Sequence, residues 1–259
     1  MPDDVPRSTV SVVIPVKDDA DDLRRCLRAL ALQSRLPDEI VVVDNGSTDG
    51  SAQTARDAGA RVVPCGTPGI PAASATGYDA ATGDLILRLD ADCTPARTWV
   101  ESVERTFAER PDVGAVTGGA RFTDGPRPLR RPLAAVYLTS YAASTAPALG
   151  HRPLFGSNLA LRRSAWRSIR SQVHRSDPGV HDDLDLAFHI GERYAIGYLR
   201  DSPMGISMRP FTQPRGFAKR IDRGFRTVVR HWPADFPPIR WTRRALRLAR
   251  QTPPRRPRR

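Results

Sequence analysis

The chain has no apolar run approaching the ~20 residues a helix needs to cross a bilayer, and its opening "MPDDVPRS" lacks the basic and apolar regions of a secretory signal. These two absences predict a cytoplasmic protein. Cysteine is scarce: Cys26, Cys65 and Cys93 are an odd set with no CxxC spacing, which argues against a disulfide framework or a cysteine zinc site and for buried free thiols. No internal repeat, helix-turn-helix pattern or aromatic RNA-binding motif is present. Negative charge is in deficit, with 28 Asp and Glu against 40 Lys and Arg, for a net charge of +12. That imbalance asks for an anionic partner: nucleic acid, an acidic membrane surface or a phosphorylated substrate.

What is present suffices for one large domain. With 259 residues and 40% hydrophobic content, the chain can bury a substantial core and carry a tail. "TVSVVIPV" at 9–16 is short and β-branched, as a buried strand is. Behind it, Leu23, Cys26, Leu27 and Leu30 recur at helical spacing after a run of aspartates suited to a helix N-terminus. "EIVVVD" at 39–44 is the next strand, and "NGSTDGS" offers Ser47 or Asp49 as a helix cap. "ARVVP", a helix over 71–81 and "DLILRL" continue the alternation, which describes βαβ units and a parallel sheet covered on both faces. Ligands of such sheets gather at the carboxyl ends of strands, where Pro15, Asp44 and Asp90 fall. Further on, a helix over 97–110, a strand "VGAVTG", a basic stretch "DGPRPLRRP", a turn or strand entering a helix at "LFGSNLALRRSAWRSI" and an acidic-headed helix "HDDLDLAFHIGERY" follow.

"LILRLDADCTP" ends a buried strand on two carboxylates. Asp90 and Asp92 repel one another unless a cation or hydrogen-bond donor lies between them, and hard oxygen ligands suit Mg²⁺ or Mn²⁺ together with substrate phosphates. Alone, the pair reads more readily as turn and cap residues before the helix at Arg97 than as a metal site.

The ordered series "IPVKDDADDLRRCLRALALQ", "VVVDNGSTDGS", "GIPAASATGYDAATGDLILRLDAD", "GSNLALRRSAW" and "HDDLDLAFHI" resembles the family-2 glycosyltransferases, from about residue 9 to the vicinity of Phe225. The resemblance implies an inverting enzyme with a GT-A fold, a mostly parallel, Rossmann-like α/β sheet flanked by helices. It implies a donor pocket of Pro15, Val16, Asp19, Asp44, Asp90, Ala91 and Asp92, with Asp90 facing the ribose. Asp92 is then the ligand of Mn²⁺ or Mg²⁺ on the diphosphate of a UDP- or GDP-linked sugar. Asp182 and Asp183 match the family's acidic pair at a helix start, and Asp183 the general base for the acceptor hydroxyl. Gly156 and Asn158 fall in the segment that shapes the acceptor side. Trp166 reads as core.

The chain also departs from that pattern. Ala75 and Thr76 stand where many relatives carry an Arg-Asn pair, which leaves another arginine to compensate. "MGISMRPFTQPRG" lacks the histidine metal ligand of some relatives; His181 and His189 lie nearby in sequence and could be ligands, but read rather as surface or core histidines. "QPRGF" matches poorly the signature of processive polymer synthases, which favours transfer of one or a few sugars. The expected organisation is an extension over 1–8, the glycosyltransferase domain over 9–230 and a basic segment over 231–259 with its last residues disordered. Arg243 to Arg250 alternate with apolar residues and suit peripheral contact with an anionic membrane at its inner face, in keeping with a lipid-linked acceptor as an alternative to a small molecule. A nucleotidyltransferase of sugar phosphates is disfavoured because "PVKDDADD" is acidic where a glycine-rich, basic phosphate loop is needed. A basic nucleic-acid binder has no use for carboxylates at successive strand ends, and an inactive relative is disfavoured because Asp92 and Asp183 are both present.

Overall fold

A computed structural model describes residues 7–209 and 214–251. Most of the expected N-terminal extension, and the basic tail over 252–259, lie outside the described residues. β1 (Val10–Val16), β2 (Glu39–Asp44), β3 (Arg61–Pro64) and β4 (Leu85–Arg88) form a parallel half-sheet, with α1 (Ala20–Ala31), α2 (Ser51–Asp57) and α3 (Ile70–Ala80) as crossovers. After α4 (Trp99–Glu109), β5 (Val113–Phe122), β6 (Leu159–Arg162) and β7 (Ala195–Ile206) complete seven strands in the order β3-β2-β1-β4-β6-β5-β7. β6 runs antiparallel to β4 and β5, whereas β7 is parallel to β5.

Alternation along β1 divides the core into two layers. Val10, Val12, Ile14 and Val16 pack with Leu23, Leu27 and Leu30 of α1 and with Trp99 and Val103 of α4. Val13 joins Val41, Val43 and the residues of α3, α6 (Arg163–Ile169) and α7 (Asp182–Arg193) on the opposite face. α3 sits very close to the sheet at Gly77, where a Cβ would lie 2.3 Å from Val13 Cγ1 and 2.9 Å from Val43 Cγ2. Cys26, Cys65 and Cys93 are buried free thiols. Trp166 is also core, with its indole N–H donated to Asp79 Oδ1 at 2.8 Å and its ring edge-on to Tyr78.

Four elements go beyond the sequence reading. The basic stretch after β5 opens a 20-residue helix, α5 (Arg130–Leu149). A strand, β7, follows α7, and α8 (Pro214–Arg230) precedes α9 (Pro237–Gln251) at the C-terminus. The basic segment is docked rather than detached: Arg240 is buried and donates to Leu149 O at 2.8 Å and Phe188 O at 2.7 Å. Among the described residues, no helix is long and apolar enough to cross a membrane.

Candidate active site

The strand order reverses between β1 and β4: the chain winds from β1 outward to β3, then returns to β1's other edge as β4. Such a switch opens a crevice at the carboxyl ends of those two strands. A cleft of roughly 770 Å³ lies there, and Pro15, Val16, Asp19, Asp90, Ala91, Asp92, Gly156, Asp182 and Asp183 all line it. Two other expected residues are placed elsewhere. Asp44 ends β2, one strand away from the switch, and its Oδ1 accepts the Ser47 N–H at 2.9 Å as a turn residue. Its neighbour Asn45 lines the cleft instead and holds the next loop through Cys65 O, Thr67 O and the Gly69 N–H. Asn158 is fully buried, with its amide donating to Gly119 O and Ser202 O and accepting from Trp99 Nε1. Asn158, expected on the acceptor side, therefore does not line the cleft, and every polar atom of its side chain is engaged inside the protein.

Arg88 joins the two acidic centres. It is the last residue of β4, buried, with Nη2 2.8 Å from Asp90 Oδ1 and Nη1 3.4 Å from Asp182 Oδ2. Burial works against its charge, but Asp182 and Asp90 outweigh that and raise its pKa further. The guanidinium fits because residue 156 is glycine: a Cβ there would lie 1.7 Å from Arg88 Nη1. Asp90 Oδ2 accepts the Ser157 hydroxyl at 2.6 Å, so both of its oxygens are directed.

Asp183 is held as an anion despite burial. Burial pushes its pKa up, while His181, Arg88 and the Gly156 N–H together bring it down to about 2. His181 Nδ1 lies 2.5 Å from Asp183 Oδ1, the Gly156 N–H reaches Oδ2 at 2.7 Å, and the single proton of the Tyr141 hydroxyl is shared between Leu154 O at 3.1 Å and Asp183 Oδ1 at 3.3 Å. Asp182 takes the Ser74 hydroxyl at 3.0 Å, and its pKa is raised by burial and by Asp183.

Asp92 has the opposite environment. Burial and Asp90 raise its pKa, and Arg209 partly relieves it by donating to Oδ2 at 2.7 Å. Arg209 also lies 3.1 Å from Asp19 and 3.4 Å from Asp22, so one guanidinium serves three carboxylates. It belongs to the segment "MGISMRPFTQPRG", which has no histidine. Lys17, Arg220 and Arg223 complete a cationic lining.

Sequence reasoning missed Arg88, Arg209, Ser157 and Tyr141. Arg88 left a signal, a cation inside an apolar strand two residues from Asp90 and hence on the same face. The others meet the site only through packing.

Residues 11–170 match the family model described as "Glycosyl transferase family 2". Glycosyltransferase AglE of Haloferax volcanii is 34% identical over 122 residues, 44% of this chain and 40% of that protein. Pre-mycofactocin glycosyltransferase of Mycobacterium tuberculosis is 30% identical over 206 residues, 76% of this chain and 42% of that protein. The chain thus spans less than half the length of these relatives. The mannosyltransferase PcManGT from Pyrobaculum calidifontis, solved with GDP-Man and Mn²⁺, superposes with a TM-score of 0.66 at 21% identity, covering 95% of this chain and 75% of that one. Glucosyl-3-phosphoglycerate synthase from Mycobacterium tuberculosis, solved with Mn²⁺ and UDP-glucose, gives 0.60 at 22% identity, covering 86% and 78%. These likenesses establish the GT-A fold.

Proposed function

Since the chain belongs to glycosyl transferase family 2, we propose that it is a metal-dependent inverting glycosyltransferase, moving a sugar from a UDP- or GDP-linked donor to an acceptor hydroxyl. The observation that carries this reading is the pairing of Asp90 and Asp92 with Asp182 and Asp183 in one cleft, through the shared cation Arg88. The solved relatives bound to Mn²⁺ with UDP-glucose or GDP-Man support it.

The donor set fits Mn²⁺ or Mg²⁺. Asp90 and Asp92 offer hard oxygens, and the raised pKa of Asp92 marks a carboxylate short of positive charge. The neighbouring Cys93 is buried, and burial pushes its thiol pKa well up. When bound, the metal neutralises charge on the departing diphosphate. The chain's own residues supply the rest. Asp183, ionised at neutral pH, accepts the acceptor hydroxyl's proton, while His181 and the Gly156 N–H fix its orientation. Asp90, steadied by Arg88 and Ser157, faces the ribose, and Lys17, Arg220 and Arg223 attract the donor's phosphates. A single displacement inverts the anomeric centre.

The acceptor is a small molecule or a lipid-linked hydroxyl. The lipid alternative draws support from exposed apolar residues on and between the last two helices: Ile221, Phe225, Trp232, Phe236 and Ile239, among many arginines.

Calorimetry with UDP and GDP, with and without Mn²⁺, tests the donor half. Binding should require the metal in the wild type and become indifferent to it in Asp92→Asn; metal-independent binding by the wild type defeats the assignment. Asp183→Asn should slow transfer by roughly 10²- to 10⁴-fold with little change in donor affinity. Normal turnover by that variant would assign the base elsewhere.

A further inference from the structure

We propose that His174, Asp185, His189 and His231 form a second metal site, separate from the cleft, that takes Zn²⁺ as a structural ion. Asp185 lies two residues beyond Asp183 on α7, about 200° around the helix, and does not line the cleft. His189 is one turn further along α7, His174 comes from the segment before it, and His231 immediately follows α8. The potential ligand atoms of the four residues all lie within 4.8 Å of one another.

The hydrogen bonding of His231 leaves a lone pair facing a carboxylate. His231 Nδ1 must donate to Thr227 O at 2.8 Å, because a carbonyl only accepts. In the neutral ring its Nε2 is therefore a bare acceptor, and it points at Asp185 Oδ1 from 3.3 Å. His189 Nε2 approaches the same oxygen to 3.5 Å. Both nitrogens are buried and make no hydrogen bond. The side chains of His231 and Asp185 are only 3% and 4% exposed, so water does not resolve the conflict. A proton on His231 Nε2 or a metal ion shared by the four side chains does, and the convergence of four ligand atoms points to the metal.

Geometry and donor type favour zinc. Ligands about 2.0–2.1 Å from a tetrahedral ion are roughly 3.4 Å apart. The three separations from Asp185 Oδ1, 2.7, 3.3 and 3.5 Å, already bracket that value. Three imidazoles with one carboxylate suit Zn²⁺ rather than the oxygen-seeking Mg²⁺. Supporting contacts are in place: Thr227 O orients His231, whose ring stacks on Phe188 at 4.0 Å, and the His174 backbone N–H donates to Asp185 Oδ2 at 2.8 Å. The ion would fasten α8, which carries Arg220 and Arg223 to the cleft, onto α7, which carries Asp183.

The full-length chain, purified and dialysed against metal-free buffer, should retain close to one zinc per chain by elemental analysis. After stripping, Co²⁺ should give the visible d–d absorption of a tetrahedral site. Zinc at about a hundredfold over its Kd should raise Tm by on the order of 5 °C. His189→Gln and His231→Gln should each weaken binding at least about tenfold, while Asp92→Asn leaves it intact. A wild-type chain that binds neither ion overturns the proposal and leaves a cluster held by protons alone. A cobalt spectrum lost in Asp92→Asn also overturns it, by placing the ion in the cleft. Should either glutamine variant fail to fold, the wild-type stoichiometry and spectrum decide.

Discussion

Arg88 and Arg209 divide the work of countering five carboxylates, and their settings differ. Arg88 is almost wholly buried and has no route out, so it is a fixed part of the site that holds Asp90 and Asp182 at a set spacing. The Arg209 side chain is 41% exposed and rests on Asp92 from a neighbouring segment, so it can yield to a stronger cation. A solvated charged contact of this kind is worth about 1 kcal/mol. Replacing it in Arg209→Met should therefore tighten Mn²⁺ binding to the nucleotide-free protein by about fivefold in a calorimetric titration; an unchanged affinity would mean that Arg209 and the metal do not compete for Asp92.

The elements that build the cleft are those whose packing leaves least room. α3 reaches the sheet only because residue 77 lacks a side chain, and its N-terminal end brings Gly69, Ile70 and Ala73 to the cleft wall. Gly77→Val should cost roughly 1–3 kcal/mol through overpacking against Val13 and Val43, visible as a lower urea midpoint with an unchanged slope. α5 and β7 show why some elements escape a reading of local pattern. α5 has no continuous apolar stripe and carries Pro132 and Pro147; only Ala134, Thr145, Ala148 and Leu149 are buried. β7 includes Asp201, Ser202 and Pro203, which break its alternation. Its pairing with β5 jumps from Gly118↔Leu199 to Ala120↔Met204, so those residues bulge out of the ladder.

The charge of +12 is unevenly used across the molecule. Arginines of α9 are partly consumed within the fold: Arg240 and Arg243 meet Asp235, and Arg247 meets Glu192. Exposed Phe225, at 69%, and Trp232, at 44%, lie along the same C-terminal region. On the proposed membrane-facing reading, the protein should sediment with anionic vesicles and be released by salt. Phe225→Ser combined with Trp232→Ser should weaken that binding several-fold, whereas equal binding to neutral and anionic vesicles would remove the electrostatic part of the idea. The sequence by itself determined the alternating strands and helices, the parallel half-sheet, and the placing of Asp90 and Asp183 at an element's edge. These depend on spacings of a few residues along one strand or helix. Only the tertiary structure decided that Asn45 rather than Asp44 lines the cleft, that Asn158 is spent on the core, and that Arg209 reaches Asp92 across 117 positions and Asp19 across 190. It alone gathers three histidines around Asp185. Such contacts are fixed by strand order and helix docking, which bring distant residues together without leaving any local period in the sequence.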